Sequence, residues 1–268
     1  MKHITSRENP FYKRLVRLSR ASRAERRTGG TAVLEGVHLI RAYLDRFGPE
    51  GVELVVRESA REHPEIAGLV AEVPAVAMAD RMFDTVSSVQ TPVGVLAAAP
   101  IPKPCGSTRE RGFQLLVDGV QDPGNLGSIL RSAAAAGATI AHLSAECADP
   151  WSPKTLRGGM GAQFLLPIEE HADLGLAATE AGLRLVACTV SGDTSVFDAD
   201  LRGAVGFIIG SEGSGVTPRL AALAQQRVRI PMSRGIESLN AAAAAAVCFY
   251  EWVRQQGPAW LGARERTS

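Results

Sequence analysis

The sequence lacks the features of a membrane, secreted or metal-binding protein. No run of eighteen apolar residues is present, and no apolar stretch follows the basic N-terminus, which argues against a membrane span or signal peptide and predicts a cytoplasmic protein. The four cysteines are far apart without a C-x-x-C pair, and the five histidines are scattered, so neither disulfides nor a metal site is expected. Aromatic residues make up only 5% of the chain, which argues against a stacking platform for single-stranded nucleic acid.

The charge is unevenly distributed along the chain. The formal net charge is +1 over 268 residues, but residues 1–27 contain nine basic and two acidic residues, so their net charge is +7. Such a segment favours a polyanionic partner such as RNA, although a solvated helix face has the same composition. Phe11, Leu15 and Leu18 recur at helical spacing, which predicts a helix with one docked face and a basic outer face.

Alternating strand and helix patterns predict two α/β domains. In the first, strands and helices alternate from residue 31 to residue 99, as in a compact βαβαβαβ unit. Residues 100–112 hold three prolines and two glycines and are interpreted as a linker, although a long surface loop would look the same. The predicted organisation is a domain at 1–99, a linker at 100–112, a second domain at 113–256 and a tail at 257–268.

The second domain is predicted to contain a parallel sheet that is buried on both faces. Its strands are continuous apolar runs separated by helical patterns, beginning with a strand at 113–118 and a helix at 128–138. A further helix is predicted near 152–160 within this domain. Ligands of such sheets lie beyond the carboxyl ends of the strands, so the loops that follow the strands are the candidate sites.

The first such loop, in residues 118–138, places Asn125 and Arg131 around the start of the predicted helix. Arg131 could bind a phosphate through two N–H groups, whereas a helix cap at Asn125 and a surface salt bridge at Arg131 would give the same pattern. The glycine spacing matches neither the dinucleotide-binding fingerprint nor the P-loop.

Two later loops combine small and polar residues. Residues 207–218 surround Glu212 with glycine and serine, which permits close backbone approach to a ligand or makes a flexible turn. Residues 230–253 lead through Ser238 and Asn240 into an Ala-rich run. Both polar residues are interpreted as caps of a helix whose N-terminus faces a ligand, although an ordinary buried helix begins in the same way.

In order, the motifs N-x-G-x-x-x-R, G-S-E-G-x-G and I-P-M-x-x-G-x-x-S-L-N resemble the three signatures of the SpoU (TrmH-like) branch of the SPOUT RNA methyltransferases. The resemblance covers residues 113–256. The basic start and Leu34-Glu35-Gly36 are similar to the substrate-binding domain that many members carry ahead of the catalytic one. The family resemblance implies a small N-terminal α/β domain resembling a ribosomal protein, a C-terminal domain with a trefoil knot, and a homodimer. The implied reaction transfers the methyl group of S-adenosylmethionine to a ribose 2′-hydroxyl of tRNA or rRNA.

By position, the resemblance implies two sets of site residues. The implied catalytic set is Asn125, Arg131, Glu212, Ser238 and Asn240. The implied cofactor-binding set is Thr189, Gly210, Ile230, Met232 and Leu239. Because a guanidinium stays protonated in proteins, we interpret Arg131 as orienting the hydroxyl and its phosphate, and the base stays open. The chain departs from the family after Asn240, where alanines replace the β-branched residues that are common in members.

The predicted function is therefore S-adenosylmethionine-dependent methylation of an RNA ribose, with no metal. The sizeable N-terminal domain favours 23S rRNA by analogy, and a tRNA 2′-O-methyltransferase is the first alternative. A non-catalytic RNA-binding ribosome-assembly factor on the same fold is the second. An enzyme acting on a small molecule would leave the basic segment unexplained.

Overall fold

The computed structural model describes residues 1–103, 112–180 and 182–257. Most of the predicted linker at 100–112, and the predicted tail beyond residue 257, lie outside the described residues. The chain divides into two compact units. Unit 1 contains Met1–Lys103 and Asp149–Phe164, and unit 2 contains the remaining described residues. Among the described helices, none is long and apolar enough to cross a membrane.

Unit 1 is a mixed sheet flanked by helices. Numbered along the whole chain, its elements are β1 (Lys2–Ile4), α1 (Pro10–Arg20), α2 (Arg23–Gly29), β2 (Thr31–Glu35), α3 (Val37–Phe47), β3 (Glu53–Arg57), α4 (Pro64–Glu72), β4 (Ala75–Met78), α5 (Asp80–Val86), β5 (Val95–Pro100) and α7 (Pro153–Gly159). The strand order is β1-β4-β3-β5-β2. Strand β4 is parallel to both of its neighbours, β1 and β3, and β5 is antiparallel to both of its neighbours, β3 and β2.

The basic N-terminal segment forms α1 and α2, and α1 packs on the core of unit 1. The Asn9 side chain accepts a hydrogen bond from Phe11 N (2.9 Å) and caps α1. Leu15 is fully buried, and Phe11 and Leu18 pack against the same core cluster. The predicted helix with one docked face is therefore present, and most of its basic residues lie on the exposed side.

Unit 2 is built on a second sheet. Its elements are β6 (Gln114–Asp118), α6 (Pro123–Ala136), β7 (Ile140–Leu143), β8 (Ile168–Glu170), α8 (Leu174–Glu180), β9 (Arg184–Cys188), β10 (Thr194–Ser195), β11 (Val205–Gly210), α9 (Pro218–Leu223), β12 (Gln226–Arg229) and α10 (Ala241–Gln256). The strand order is β10-β12-β9-β11-β6-β7-β8, and every recorded pair is parallel. The prediction of a parallel sheet is confirmed.

The core of unit 2 explains the alanine run of α10. Helices α6 and α10 pack against each other, and both bury small residues, among them Ala133 and Ala245. Small side chains allow the two helix backbones to approach closely. At its other end, α10 adds Phe249 and Trp252 to an aromatic cluster, with the Phe249 ring stacked 4.9 Å from that of Phe113. The departure from β-branched residues is thus accommodated by helix packing.

Two details of the predicted organisation differ from the structure. The helix predicted near 152–160 is present as α7, but Asp149–Phe164 belongs to unit 1 and not to the second domain. The buried side chains of Arg26 and Asp149 form an ion pair (2.5 Å), which ties this segment to α2. The short edge strands β1 and β10 were not predicted, because two or three residues show no periodicity.

Candidate active site

The site lies at the carboxyl end of the sheet in unit 2. Strands β6, β9 and β11 are adjacent and parallel, with Gly210 at the end of β11 in register with Asp118 at the end of β6. The loops that follow these strands therefore emerge from the same edge. The loop after β12 emerges from this edge too, because β12 is parallel to β9.

The loop after β6 begins α6 earlier than predicted. Asp122 Oδ1 accepts a hydrogen bond from Asn125 N (2.8 Å), and Pro123 is the first helical residue. The helix thus starts at residue 123, not at 128, and Asn125 lies in its first turn with a side chain that does not cap the helix. Arg131 lies past the middle of α6, which corrects its predicted place near the helix start. The sequence signal was available, since Asp followed by Pro is typical of a helix N-terminus.

The loop after β11 holds Glu212 at the tip of a closed turn. Ser211 N donates to Gly215 O (3.1 Å), and Gly215 N donates to Ser211 O (3.0 Å). The ends of the turn approach so closely that Gly210 has no room for a Cβ beside the backbone of Gly215. Asp118, to which the sequence analysis gave no role, accepts from Thr217 N (2.8 Å) and ties the turn to β6. This turn is therefore fixed rather than flexible.

Three polar side chains, from the first turn of α6, the turn after β11 and the cap of α10, form one hydrogen-bond relay. Asn240 Oδ1 accepts from Ala242 N (2.9 Å) and Ala243 N (3.3 Å), which caps α10. This leaves Asn240 Nδ2 to donate to Asn125 Oδ1 (2.8 Å). Asn125 Nδ2 in turn donates to Glu212 Oε1 (2.7 Å). Because each amide uses its oxygen as acceptor and its nitrogen as donor, the cap of α10 fixes the orientation of the Glu212 carboxylate.

Ser238 differs from the interpretation that paired it with Asn240 as a cap. Only Asn240 caps α10, and Ser238 is exposed two residues earlier in the loop. Within the described residues, its hydroxyl has no hydrogen-bond partner. The hydroxyl is therefore free to bind a ligand.

Beside the relay lies a pocket of about 820 Å³. Every predicted cofactor-binding residue and three of the predicted catalytic residues line it: Thr189, Gly210, Ile230, Met232, Leu239, Glu212, Ser238 and Asn240. Asn125 is joined to this set through its hydrogen bonds. Arg131 is exposed, does not line the pocket, and forms no ion pair with any described residue.

The walls of the pocket fit S-adenosylmethionine, the cofactor that the resemblance implies. Thr189 Oγ1 is buried and has no hydrogen-bond partner in the described part of the chain. An orphaned buried hydroxyl is costly, so one on a pocket wall indicates a ligand group that completes it. Gly210 brings backbone close to the cavity, and Ile230 and Leu239 supply apolar surface suited to a purine.

Two thiols also line the pocket, and the sequence analysis gave them no site role. The adjacent thiol of Cys248, together with burial, raises the pKa of Cys188 well above its ordinary value. A raised pKa keeps the thiol neutral, so Cys188 forms an uncharged wall and not a nucleophile. Within the described residues, no group of three or more His, Cys, Asp or Glu side chains could hold a metal ion.

The chain is similar in sequence to known and predicted RNA methyltransferases. The model of the SpoU rRNA Methylase family matches residues 112–250. An uncharacterized tRNA/rRNA methyltransferase of Synechocystis is 32% identical over 259 residues, with 94% of both chains covered. The 23S rRNA (guanosine(2553)-2′-O)-methyltransferase RlmP of Bacillus subtilis is 29% identical and covers 93% of this chain and 98% of its own.

Solved structures give the same relationship over both units. The crystal structure of the SpoU methyltransferase AviRb from Streptomyces viridochromogenes, in complex with AdoMet, matches with a TM-score of 0.82 at 28% identity. The match covers 93% of this chain and 98% of AviRb. The chain described here therefore belongs to the SpoU rRNA methylase family.

Proposed function

We propose that the protein transfers the methyl group of S-adenosylmethionine to a ribose 2′-hydroxyl of 23S rRNA. The observation that carries the proposal is the relay from Asn240 through Asn125 to Glu212, beside a pocket that fits the cofactor. Family relatives with known names support the substrate class, since those of Bacillus subtilis and Streptomyces viridochromogenes are named as 23S rRNA 2′-O-methyltransferases.

The relay fixes the Glu212 carboxylate as a hydrogen-bond acceptor for the ribose hydroxyl. Glu212 Oε1 is engaged by Asn125, while Oε2 has no partner among the described residues. A hydroxyl is a poor nucleophile until its proton is drawn away, and a fixed carboxylate oxygen can accept that hydrogen bond. Ser238, exposed on the facing loop, is the second group that we propose to contact the ribose. When bound, S-adenosylmethionine supplies the methyl group on a positively charged sulfonium.

Arg131 is proposed to orient the RNA and not to remove the proton. Its side chain is exposed and unpaired among the described residues, so its N–H groups are available to a phosphate. The guanidinium cannot act as a base without losing a proton that it retains in proteins. In-line displacement depends on position, so a single misplaced phosphate is expected to slow the reaction strongly.

The basic helices of unit 1 are proposed to bind the phosphate backbone of the RNA. Arg17 and Arg20 on α1 and Arg27 on α2 are exposed and have no carboxylate within ion-pair distance among the described residues. Sparse aromatic residues favour recognition of folded RNA by backbone and shape. Because 23S rRNA is the proposed substrate, we also propose that the protein acts in the cytoplasm.

The protein is also proposed to form a homodimer through unit 2. Ile236 and Leu239 in the loop before α10 and Tyr250 on α10 are large apolar side chains that are 58%, 40% and 53% exposed. A second copy would cover apolar surface of this kind. Light scattering after size exclusion is the test, and a stable monomer would contradict this part. The trefoil knot stays a prediction.

The reaction is tested with purified protein, radiolabelled S-adenosylmethionine and unmodified 23S rRNA, with bulk unmodified tRNA in a parallel reaction. We expect label in 23S rRNA, and mass spectrometry of the digested RNA should find one 2′-O-methylated nucleotide. Glu212→Gln is the matched variant that tests the proposed role of the Glu212 carboxylate, because it keeps the side-chain shape and removes the charge. Label found only in tRNA would show that the substrate is tRNA and not 23S rRNA. Cofactor and rRNA binding without transfer would favour the assembly-factor alternative.

A further inference from the structure

The motif Leu34-Glu35-Gly36 in unit 1 carries a hydrogen-bond cluster that methyl transfer does not use. Glu35 ends β2, and its carboxylate accepts hydrogen bonds from the hydroxyls of Ser87 and Ser88. It also accepts from Ser88 N (3.1 Å). One carboxylate therefore fixes the start of the loop that connects α5 to β5.

Arg157 extends this cluster from α7. Its Nη1 donates to Ser88 Oγ (3.0 Å), and its side chain is exposed. Because the Ser88 hydroxyl donates its one proton to Glu35, its lone pairs remain to accept from Arg157. Glu35 and Ser88 thus hold the guanidinium in position while engaging one of its five N–H groups.

Arg157 is held differently from the ion-paired arginines of unit 1. Arg14 pairs with Glu53, Arg26 with Asp149, Arg41 with Glu72, and Arg57 with both Asp80 and Asp84. Arg157 has no carboxylate within ion-pair distance among the described residues, and its fixed partner is a neutral hydroxyl. A guanidinium that is held through a hydroxyl, without direct contact with a carboxylate, keeps free N–H groups for a phosphate.

We propose that Arg157 is a phosphate-contact site for RNA on unit 1, with Ser88 and Glu35 as positioning residues. The inference rests on the proposed function, in that the phosphate belongs to the RNA substrate. It also gives α7 a role. This helix lies within the span matched by the family model, but it belongs to unit 1, so it serves RNA binding and not the transfer step.

The test measures affinity for an unmodified 23S rRNA transcript by filter binding between 50 and 200 mM KCl, the range in which phosphate contacts dominate the salt dependence. Arg157→Gln should weaken binding about tenfold and reduce the slope of log affinity against log salt by about 0.7–0.9, as one lost phosphate contact requires. Ser88→Ala keeps the charge, so it should weaken binding a few-fold with the wild-type slope.

Arg41→Gln is the matched control. It removes one arginine charge from the same unit, but at an ion pair with Glu72, and binding and slope should stay as in the wild type. S-adenosylmethionine affinity, measured by calorimetry, should be unchanged in all three variants. Arg157→Lys separates charge from structure, since it should keep the wild-type slope while losing affinity.

Equal affinity and slope for Arg157→Gln and Arg41→Gln would overturn the inference. The inference would also be overturned if Arg157→Gln and Arg157→Lys both lost affinity and both kept the wild-type slope of log affinity against log salt. A purely structural role of Arg157 predicts that result. Methyl transfer by the wild type together with either result would refute this site and leave the proposed function standing. A wild type that binds rRNA with the predicted Arg157 effect but transfers no methyl group would refute only the proposed function.

Discussion

Replacement of Gly210 by alanine tests the closed turn that carries Glu212. The added Cβ would lie well under 3.0 Å from backbone atoms of Gly215 and Val216, whereas ordinary van der Waals contact begins at 3.4 Å. These neighbours are backbone atoms and cannot rotate away. The turn would have to move outward by roughly 1 Å to restore normal contact.

Such a shift has a cost that can be estimated. Overpacking of this kind costs about 1–3 kcal/mol. The two hydrogen bonds between Ser211 and Gly215 would be strained or lost, at a net of about 0.5–1.5 kcal/mol each. A central value of about 4 kcal/mol corresponds to a fall in Tm of about 8–16 °C for the unfolding of unit 2. The shift would also move Glu212 away from Asn125 and deform the pocket, so cofactor affinity should fall at least about tenfold.

The assay combines thermal unfolding by calorimetry with titration of S-adenosylmethionine. Gly213→Ala is the control in the same turn, because a Cβ at Gly213 would meet no atom within 4 Å. Its Tm should stay within about 2 °C of the wild type, since surface substitutions are usually within about 0.5 kcal/mol. If Gly210→Ala unfolds and binds the cofactor like Gly213→Ala, the close approach of the two turn ends is wrong.

Four further predictions concern single groups of the site. Arg131→Ala should abolish methyl transfer and leave Tm and cofactor affinity unchanged, because the side chain is exposed and unpaired among the described residues; an active variant would remove Arg131 from the mechanism. Asn125→Ala and Asn240→Ala should each lower kcat, and a double-mutant cycle should give non-additive losses, whereas additive losses would contradict the relay. Thr189→Val should keep or raise the Tm, since it removes an orphaned buried hydroxyl, yet weaken cofactor binding; unchanged affinity would mean that the hydroxyl does not bind the cofactor. The raised pKa of Cys188 keeps its thiol protonated at pH 8, so iodoacetamide should label it only after unfolding, and rapid labelling of the folded protein would show that the pKa is not raised.

The sequence predicted the fold best where the periodic signal was local. Strand β2 begins at residue 31, where the predicted alternation begins, and helix α3 follows it directly, because the apolar strand and helix patterns there are interrupted by Gly36 alone. The start of α6 was predicted five residues late because the glycines after Pro123 resemble a loop, and the cap by Asp122 outweighed them. Local propensity is a weak guide where a single cap and tertiary packing decide the boundary.

The site depended on contacts that spacing does not reveal. Asn125 bonds Glu212 across 87 residues and Asn240 across 115, so only the family resemblance suggested that they act together. No sequence pattern indicated that Ser238 and Asn240 differ, one free and one a cap. The assignment of α7 to unit 1 depends on long-range packing such as the pair of Arg26 and Asp149, 123 residues apart, and long-range pairing leaves no local pattern in the sequence.

The division of unit 1 between two chain segments has a consequence for synthesis. During translation residues 1–103 are synthesised well before Asp149. Arg26 therefore has no ion-pair partner while β6, α6 and β7 are being made, because that partner is Asp149. Until then a buried arginine lacks its carboxylate, and Tyr43 lacks the edge contact of Phe164. The N-terminal unit is thus completed only after part of the C-terminal one has left the exit tunnel. A gene fragment that stops at residue 103 would lack α7, the carboxylate partner of Arg26 and the proposed RNA contact at Arg157.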